Sequence, residues 1–155
     1  MSLEQEIKQT RPFKNEKEKA LVNIIFTNNW LLLKQNKMLK KHGISLQQYN
    51  VLRILNGQKG QPITINEIIS RMLDKMSNAS RLVDKLFLKG YVNRDQKIGN
   101  RRACDVIISE KGKVFLAKVT ETLGNMEKEM GNMSQEEYAQ LNNLLDKMRN
   151  NETEK

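Results

Sequence analysis

Apolar residues recur every three or four positions through most of this chain, which is the spacing of one face of a helix. Three stretches begin with Ser or Thr and carry Glu or Gln three positions later. This capping-box pattern satisfies the free backbone N–H groups at a helix start, and the boxes open at Ser45, Thr64 and Ser134. Between Tyr91 and Ser109 the period changes to the alternation typical of strands. The pattern therefore predicts a mostly α-helical protein with a small β-hairpin.

The box at Thr64 opens a short helix, and a second helix starts at Ser77, with only residues 73–76 between them. Two short helices joined by so tight a turn are typical of a helix-turn-helix, whose second helix enters the major groove of DNA. We expect an apolar stripe on each helix to face a core. The stripes are Ile65, Ile68, Ile69 and Met72 on the first helix and Ala79, Leu82, Val83 and Leu86 on the second.

The remaining sides of the second helix are polar and basic. Short polar side chains with an Arg near a helix N-terminus suit the base edges and phosphates of a major groove. An ordinary solvated helix face has a similar composition, so the segments next to this helix must decide between the two interpretations. The candidate DNA-contacting residues of the helix and of the turn before it are Lys75, Ser77, Asn78, Ser80, Arg81 and Lys85.

A basic hairpin follows this helix directly. Lys89-Gly90 predicts the helix end, because Gly readily adopts the left-handed conformation that closes many helices. The return strand runs from Arg102 to Ser109, which leaves residues 95–101 as an exposed tip, or wing. On this strand Cys104, Val106 and Ile108 are expected to point inward and Ala103, Asp105 and Ile107 outward. The candidate DNA contacts of the wing are Lys97, Asn100, Arg101 and Arg102.

Four short motifs in this region carry a family resemblance. They are Arg81-Leu82-Val83-Asp84-Lys85-Leu86, Lys89-Gly90-Tyr91-Val92, Asn100-Arg101-Arg102 and Ile108-Ser109-Glu110-Lys111-Gly112. In combination they resemble the MarR family of bacterial winged-helix regulators, over a stretch from about Lys14 to Arg149. The resemblance implies a homodimeric transcription factor, whose second module helix enters the major groove of a pseudo-palindromic operator while each wing reaches a minor groove. The family usually has Asp at Asn100, where the carboxylate braces the wing through an ion pair, and Asn lacks that charge.

Amphipathic helices flank the module on both sides. Residues 14–42 carry one apolar stripe, and residues 113–150 carry two narrow seams, from Leu116 to Met133 and from Tyr138 to Met148. Because the winged helix-turn-helix module of residues 45–112 already has apolar faces of its own, we expect the flanking helices to form a dimerisation region. The alternative is an intramolecular hairpin packed on its own domain.

A small aromatic effector is a further implication of the resemblance. Members of the family can bind such molecules where the dimer helices meet the DNA-binding module. In this chain the candidate pocket residues are Phe26, Trp30, His42 and Tyr49. Aromatic residues at helical spacing usually serve packing, so core or rim positions are the alternative for these four.

The composition favours a polyanionic partner. The 155 residues suffice for one compact domain with helical extensions, and their net charge is +9. Between Asp74 and Lys113, ten basic and five acidic side chains leave a charge of +5, so more than half of the excess lies on the candidate DNA module. Residues 1–13 and 151–155 are expected to be flexible tails. Because the chain has no long apolar run and its N-terminus is polar, we expect a cytoplasmic protein without a membrane partner.

The residue clusters that catalysis or metal binding requires are not visible. There is no Ser-His-Asp arrangement, carboxylate pair or glycine-rich phosphate loop, so we do not expect an enzyme. A single His42 and a single Cys104 cannot form the usual metal site, and no cofactor is expected. An inward-facing Cys on a strand acts mostly as a small hydrophobe, which argues against a thiol sensor. The remaining alternative is a sequence-independent architectural or RNA-binding protein, because a basic wing suits any phosphate backbone.

Overall fold

The computed structural model describes residues 1–96, 104–128, 131 and 133–150. The chain forms two compact units, Met1–Leu123 and Gly124–Lys155. No helix of the described residues combines the length and the apolar character that crossing a membrane requires. The mostly helical fold with a small antiparallel sheet is confirmed. Its elements are α1 (Leu3–Glu6), α2 (Glu16–Lys41), α3 (Leu46–Asn56), β1 (Ile63–Thr64), α4 (Ile65–Arg71), α5 (Ala79–Leu88), β2 (Val92–Gln96), β3 (Cys104–Ile108), α6 (Glu110–Lys128) and α7 (Gln135–Asn150).

Hydrogen bonds at the helix starts confirm the three capping boxes. At the start of α4, the Glu67 N–H donates to the Thr64 hydroxyl at 3.3 Å, and the Thr64 N–H donates to the Glu67 carboxylate at 2.8 Å. The boxes at Ser45 and Ser134 have the same pair of bonds. The backbone and hydroxyl hydrogen bonds from Thr64 hold the pKa of Glu67 below its usual value. Each box satisfies two N–H groups that no helical carbonyl can reach.

A core centred on α3 joins the elements of the helix-turn-helix. α3 packs against α5, α4 and β3, and Leu52 of α3, Ile68 of α4 and Leu86 of α5 are fully buried. The predicted apolar stripe of α4 is wrong at Ile69, which is 37% exposed. Successive residues point about 100° apart around a helix, and with Ile68 facing the core, Ile69 lies at the edge of the buried side.

The sheet has the strand order β1, β3, β2, and all pairs are antiparallel. Val106 of β3 pairs with Ile63 on one side and with Arg94 on the other. Val106 and Ile108 are buried, as the alternation predicts, whereas the Cys104 side chain lies outside what the structure describes. The sequence did not predict β1, because two residues are too few for an alternation to be recognised.

A close backbone approach joins the start of α6 to the residues before β2. The Ser109 N–H donates to the Tyr91 carbonyl at 3.0 Å, and the Ser109 hydroxyl donates to the Gly90 carbonyl at 2.7 Å. The same hydroxyl accepts the Gly112 N–H at 3.0 Å. A Cβ atom at Gly112 would lie 2.0 Å from the Tyr91 carbonyl oxygen, which is far inside contact distance. Only a residue without a side chain fits at this position.

The first residues form a docked helix where the sequence predicts a flexible tail. Leu3 of α1 is 7% exposed, and the Glu4 carboxylate pairs with the Lys19 ammonium of α2 at 2.6 Å. The hydrogen bond from Lys19 holds the pKa of Glu4 below its usual value. A helix of four residues is too short to produce a recognisable period, so the sequence pattern does not reveal it.

The flanking helices differ in how far their apolar seams are covered. On α6, Leu116, Val119 and Leu123 are buried within the single chain, so this part of the predicted dimer seam is covered without a partner. α7 has no buried residue, and Leu39 is the one buried residue of α2. Apolar surface that a partner could cover therefore remains on α2 and α7.

Candidate nucleic-acid interface

α5 has an apolar and a polar side. Three of its apolar residues, Ala79, Val83 and Leu86, are at most 1% exposed and so fix the rotation of the helix about its axis. Neighbouring positions point about 100° away from these three, which places the polar residues between them towards solvent. The predicted DNA contacts on this exposed side are Ser80, Arg81 and Lys85.

Two other predicted contacts build the start of α5. The Asn78 side chain accepts the Arg81 N–H at 3.1 Å and so caps the helix. The Ser77 hydroxyl donates to the Asp74 carboxylate at 2.8 Å. The helix therefore begins at Ala79 rather than at Ser77, because the side chains before it satisfy backbone groups and form the turn.

Asp74 organises the turn between α4 and α5. One of its carboxylate oxygens accepts the Met76 N–H at 3.0 Å, while the other accepts the Ser77 hydroxyl. The hydrogen bond from the Ser77 hydroxyl, and to a smaller extent the one from the Met76 N–H, hold the pKa of Asp74 below its usual value. On the α4 side, the Lys75 ammonium donates to the Ser70 carbonyl. Asp74 was not among the predicted site residues, although Asp shortly before a helix start is a recognised turn signal.

Arg94 of β2 ties the base of the hairpin to α5. Its guanidinium pairs with the Asp84 carboxylate and lies over the Phe87 ring, 4.7 Å from the ring centre. Because Arg can use its charge and its planar face together, the two contacts restrain it more than one of them would. β2 is thereby attached to the helix that carries the exposed polar residues. The predicted contacts at the hairpin tip, Lys97, Asn100, Arg101 and Arg102, lie outside the described residues.

The four aromatic residues predicted for an effector pocket lie in two places. Phe26 and Trp30 border a cavity of about 570 Å³ beside the N-terminal residues. The side chains of His42 and Tyr49 instead lie 3.1 and 3.2 Å from threonine hydroxyls of α6. At 1.5 Å per residue, the helical path from Phe26 to His42 is about 24 Å long. The four side chains therefore do not share one described cavity, and their role in ligand binding stays a prediction.

A different groove, of about 520 Å³, lies where α2, α3 and the turn before α5 meet. Its volume falls in the range of about 300–1,000 Å³ that is usual for small-molecule sites. Apolar side chains form much of its wall, and amides lie among them. Because three separate segments contribute, no local sequence pattern reveals it. The lining residues are Asn28, Leu31, Leu32, Gln35, Leu46, Gln47, Asn50, Met72, Leu73 and Asp74.

The described residues do not form a cluster that could bind a metal ion. Within the described ranges, no group of three or more His, Cys, Asp or Glu residues is placed to hold a metal ion. His42 approaches Thr122 and packs edge-on against Phe115, with ring centres 6.4 Å apart. Its position is thus accounted for by contacts within the chain.

Known proteins are similar to this chain in sequence and in fold. Residues 44–104, which include the helix-turn-helix, match the model of the MarR family. The transcriptional repressor MprA of Escherichia coli K12 is 33% identical over 89 residues, or 57% of this chain and 51% of MprA. The segment that carries the helix-turn-helix is therefore similar to the MarR family. The chain spans about half the length of this curated MarR-type relative.

Solved structures extend the comparison to most of the chain. A MarR-like transcription regulator from Bacillus cereus has a TM-score of 0.71 at 24% identity, covering 88% of this chain and 99% of that one. Staphylococcus aureus MarR, in complex with salicylate and kanamycin, has a TM-score of 0.75 at 19% identity, covering 88% of this chain and 92% of that one. At these identities the likeness establishes the MarR fold, including the helices on either side of residues 44–104.

Proposed function

We propose that this protein is a MarR-type homodimeric regulator that binds a pseudo-palindromic site in double-stranded DNA, represses transcription and is released by a small molecule. The observation that carries the proposal is the exposed polar side of α5, held between a turn braced by Asp74 and a hairpin attached through Arg94. A helix that is fixed before binding loses little conformational entropy on binding, which favours specific contacts.

Free positive charge on α5 supports DNA as the partner. The side chains of Arg81 and Lys85 have no hydrogen bond or ion pair within the described residues. They are therefore available to phosphates and base edges, whereas Asp84 between them is paired with Arg94. The net charge of +5 between Asp74 and Lys113 would attract the same polyanion from a distance.

Exposed apolar rows on two helices support a second copy of the chain as partner. Such rows on a monomer mark interaction surfaces. In a two-fold dimer the same rows meet their copies, and two reading helices can enter successive major grooves of a palindromic site. The rows are Leu21, Ile24 and Ile25 on α2 and Tyr138, Leu141, Leu144 and Met148 on α7.

The groove between α2, α3 and the turn is our candidate effector site. Its apolar wall with a few amides suits a small planar molecule that carries one polar group. Because Staphylococcus aureus MarR has been solved with salicylate, small aromatic acids are the first class to test. Leu73 and Asp74 belong to both the groove and the turn. An occupant that fits better when the turn is displaced would therefore lower the affinity for DNA.

Arg81→Ala and Lys85→Ala should affect DNA binding in different ways. If Arg81 reads a base edge, its loss should reduce specific affinity by about 1–3 kcal/mol and relax the preference at one or two bases. If Lys85 holds a phosphate, its loss should weaken binding to all sequences alike. Fluorescence anisotropy on a selected site and on random duplex separates the two effects. Equal losses on both duplexes for both variants would favour the sequence-independent architectural alternative.

The wing residues Arg101 and Arg102 should contribute through the minor groove. A narrow, A·T-rich minor groove concentrates negative potential and attracts inserted Arg side chains. Alanine at one or both positions should weaken binding. Each lost phosphate contact should reduce the slope of the logarithm of the binding constant against the logarithm of salt concentration by about one unit. Salt titrations measure this slope, with Lys17→Ala on α2 as a control outside the module. If neither variant changes the affinity, the slope or the A·T preference, the hairpin is not a DNA-binding wing.

A further inference from the structure

The turn before α5 exposes two large apolar side chains beside the helix that we propose reads DNA. Met76 is 93% exposed and Leu73 is 85% exposed. A single exposed apolar residue is ordinary on a protein surface and needs no explanation. Here two of them lie within four residues, immediately before the polar face of α5. Both therefore offer apolar surface close in the chain to the polar and basic residues of α5.

Met76 combines a fixed backbone with an adaptable side chain. Its N–H donates to the Asp74 carboxylate at 3.0 Å, and the next residue, Ser77, binds the other oxygen of the same carboxylate. Asn78 then caps α5. The backbone of Met76 is therefore held on both sides, while its unbranched thioether side chain can adapt to the shape of a surface that it contacts.

Leu73 is placed differently within the same turn. Its N–H donates to the Asn50 side chain of α3 at 3.0 Å, and the residue borders the groove that α2 and α3 also line. Of the two exposed residues, Met76 is the closer in the chain to the start of α5 and to Ser80 and Arg81. Met76 is thus the apolar side chain best placed beside bases that α5 reads.

The major groove offers an apolar group of matching chemistry. Among the four bases only thymine projects a C5 methyl group into that groove, and apolar side chains recognise it by contact. We infer that Met76 packs against a thymine methyl group in each half-site and so determines specificity for thymine at that position. This inference rests on the proposed function, because it requires α5 to enter the major groove.

Removing single methyl groups from the DNA tests the inference. The full-length protein first selects its binding sequence from random duplexes. Each thymine of the selected site is then replaced by deoxyuridine, which lacks the methyl group and keeps every hydrogen-bonding group of the base. Burial of one methyl group contributes about 0.8 kcal/mol, so a replacement in one half-site should weaken binding about fourfold and the same replacement in both half-sites about fifteenfold. Met76→Ala should bind the thymine and deoxyuridine duplexes equally at that position.

Control variants distinguish the loss of the proposed Met76–thymine contact from a general loss of DNA binding. Leu88, which is 84% exposed at the other end of α5, provides the control Leu88→Ala, and this variant should keep the thymine preference. Leu73→Ala should keep it as well. Because Met76 is 93% exposed, Met76→Ala should melt at the wild-type temperature, which a thermal scan verifies.

The possible results distinguish this inference from the proposed function. A selection that yields no preferred sequence overturns the proposed function and the inference together. A selected site whose deoxyuridine variants all bind as tightly as the thymine parent overturns the inference alone. It is also overturned if Met76→Ala keeps the full thymine preference, or if Leu73→Ala abolishes it.

Discussion

Gly112→Ala is expected to destabilise the protein by about 3 kcal/mol or more, because its Cβ atom has no space. The atom would lie 2.0 Å from the Tyr91 carbonyl oxygen and 2.9 Å from the Ile108 side chain. A carbonyl group cannot rotate away as the end of a long side chain can. The start of α6 and the residues before β2 would have to separate, and the hydrogen bonds from Ser109 to the Tyr91 and Gly90 carbonyls would lengthen. Urea denaturation followed by circular dichroism measures the loss.

A second glycine of the same helix provides the control. A Cβ atom at Gly124 of α6 would have no neighbouring atom within 4 Å, and this glycine has no left-handed φ. Gly124→Ala should therefore stabilise the protein by up to about 1 kcal/mol, since Ala favours a helix interior over Gly. If both variants unfold at the wild-type denaturant concentration, the close approach at Gly112 does not exist in solution.

Leu141→Glu should weaken the proposed dimer by roughly a thousandfold. Leu141 lies in the exposed apolar row of α7, 41% exposed in the single chain. In a two-fold interface the substitution places two carboxylates in contact with apolar surface, and about 4 kcal/mol for the pair corresponds to three factors of ten in the dissociation constant. Sedimentation equilibrium over a range of protein concentrations measures that constant. Binding to a palindromic DNA site should fall in parallel.

Asn143→Glu is the matched control for this charge. Asn143 is also exposed on α7, but it points about 200° around the helix from Leu141 and lies off the apolar row. This variant should dimerise like the wild type. A Leu141→Glu protein that stays dimeric at micromolar concentration would remove α7 from the interface. A monomeric wild-type chain at that concentration would contradict the homodimer itself.

The features that the sequence predicted well have local causes. Each capping box involves residues three positions apart, so Thr64 and Glu67 could be paired from the sequence alone. The buried stripe of α5 depends on the helical period, which is equally local. The helix end at Gly90 follows from its left-handed φ of 74°, a conformation that costs Gly little. Residues such as these made the helix-turn-helix predictable without knowledge of the tertiary structure.

The features that the sequence did not reveal depend on tertiary contacts. Arg94 stood out only as a basic residue, because its pairing with Asp84 and its stacking on Phe87 require the register between β2 and α5. The groove draws its walls from three segments, so neither Asn28 nor Leu73 could be assigned to it beforehand. The burial of Leu116 within the single chain could not be predicted for the same reason, since a seam on one helix does not say which surface covers it.

Leu73 and Asp74 line the groove and also belong to the turn before α5. Binding of a ligand in the groove and binding of DNA are therefore thermodynamically coupled. If an occupant of the groove lowers the affinity for DNA by some factor, DNA must lower the affinity for that occupant by the same factor. A tenfold effect corresponds to a coupling free energy of about 1.4 kcal/mol. Protein already bound to DNA would then be the weaker receptor for the ligand. The ligand concentration needed for release would therefore rise with the affinity of each DNA site, and weaker sites would be vacated first.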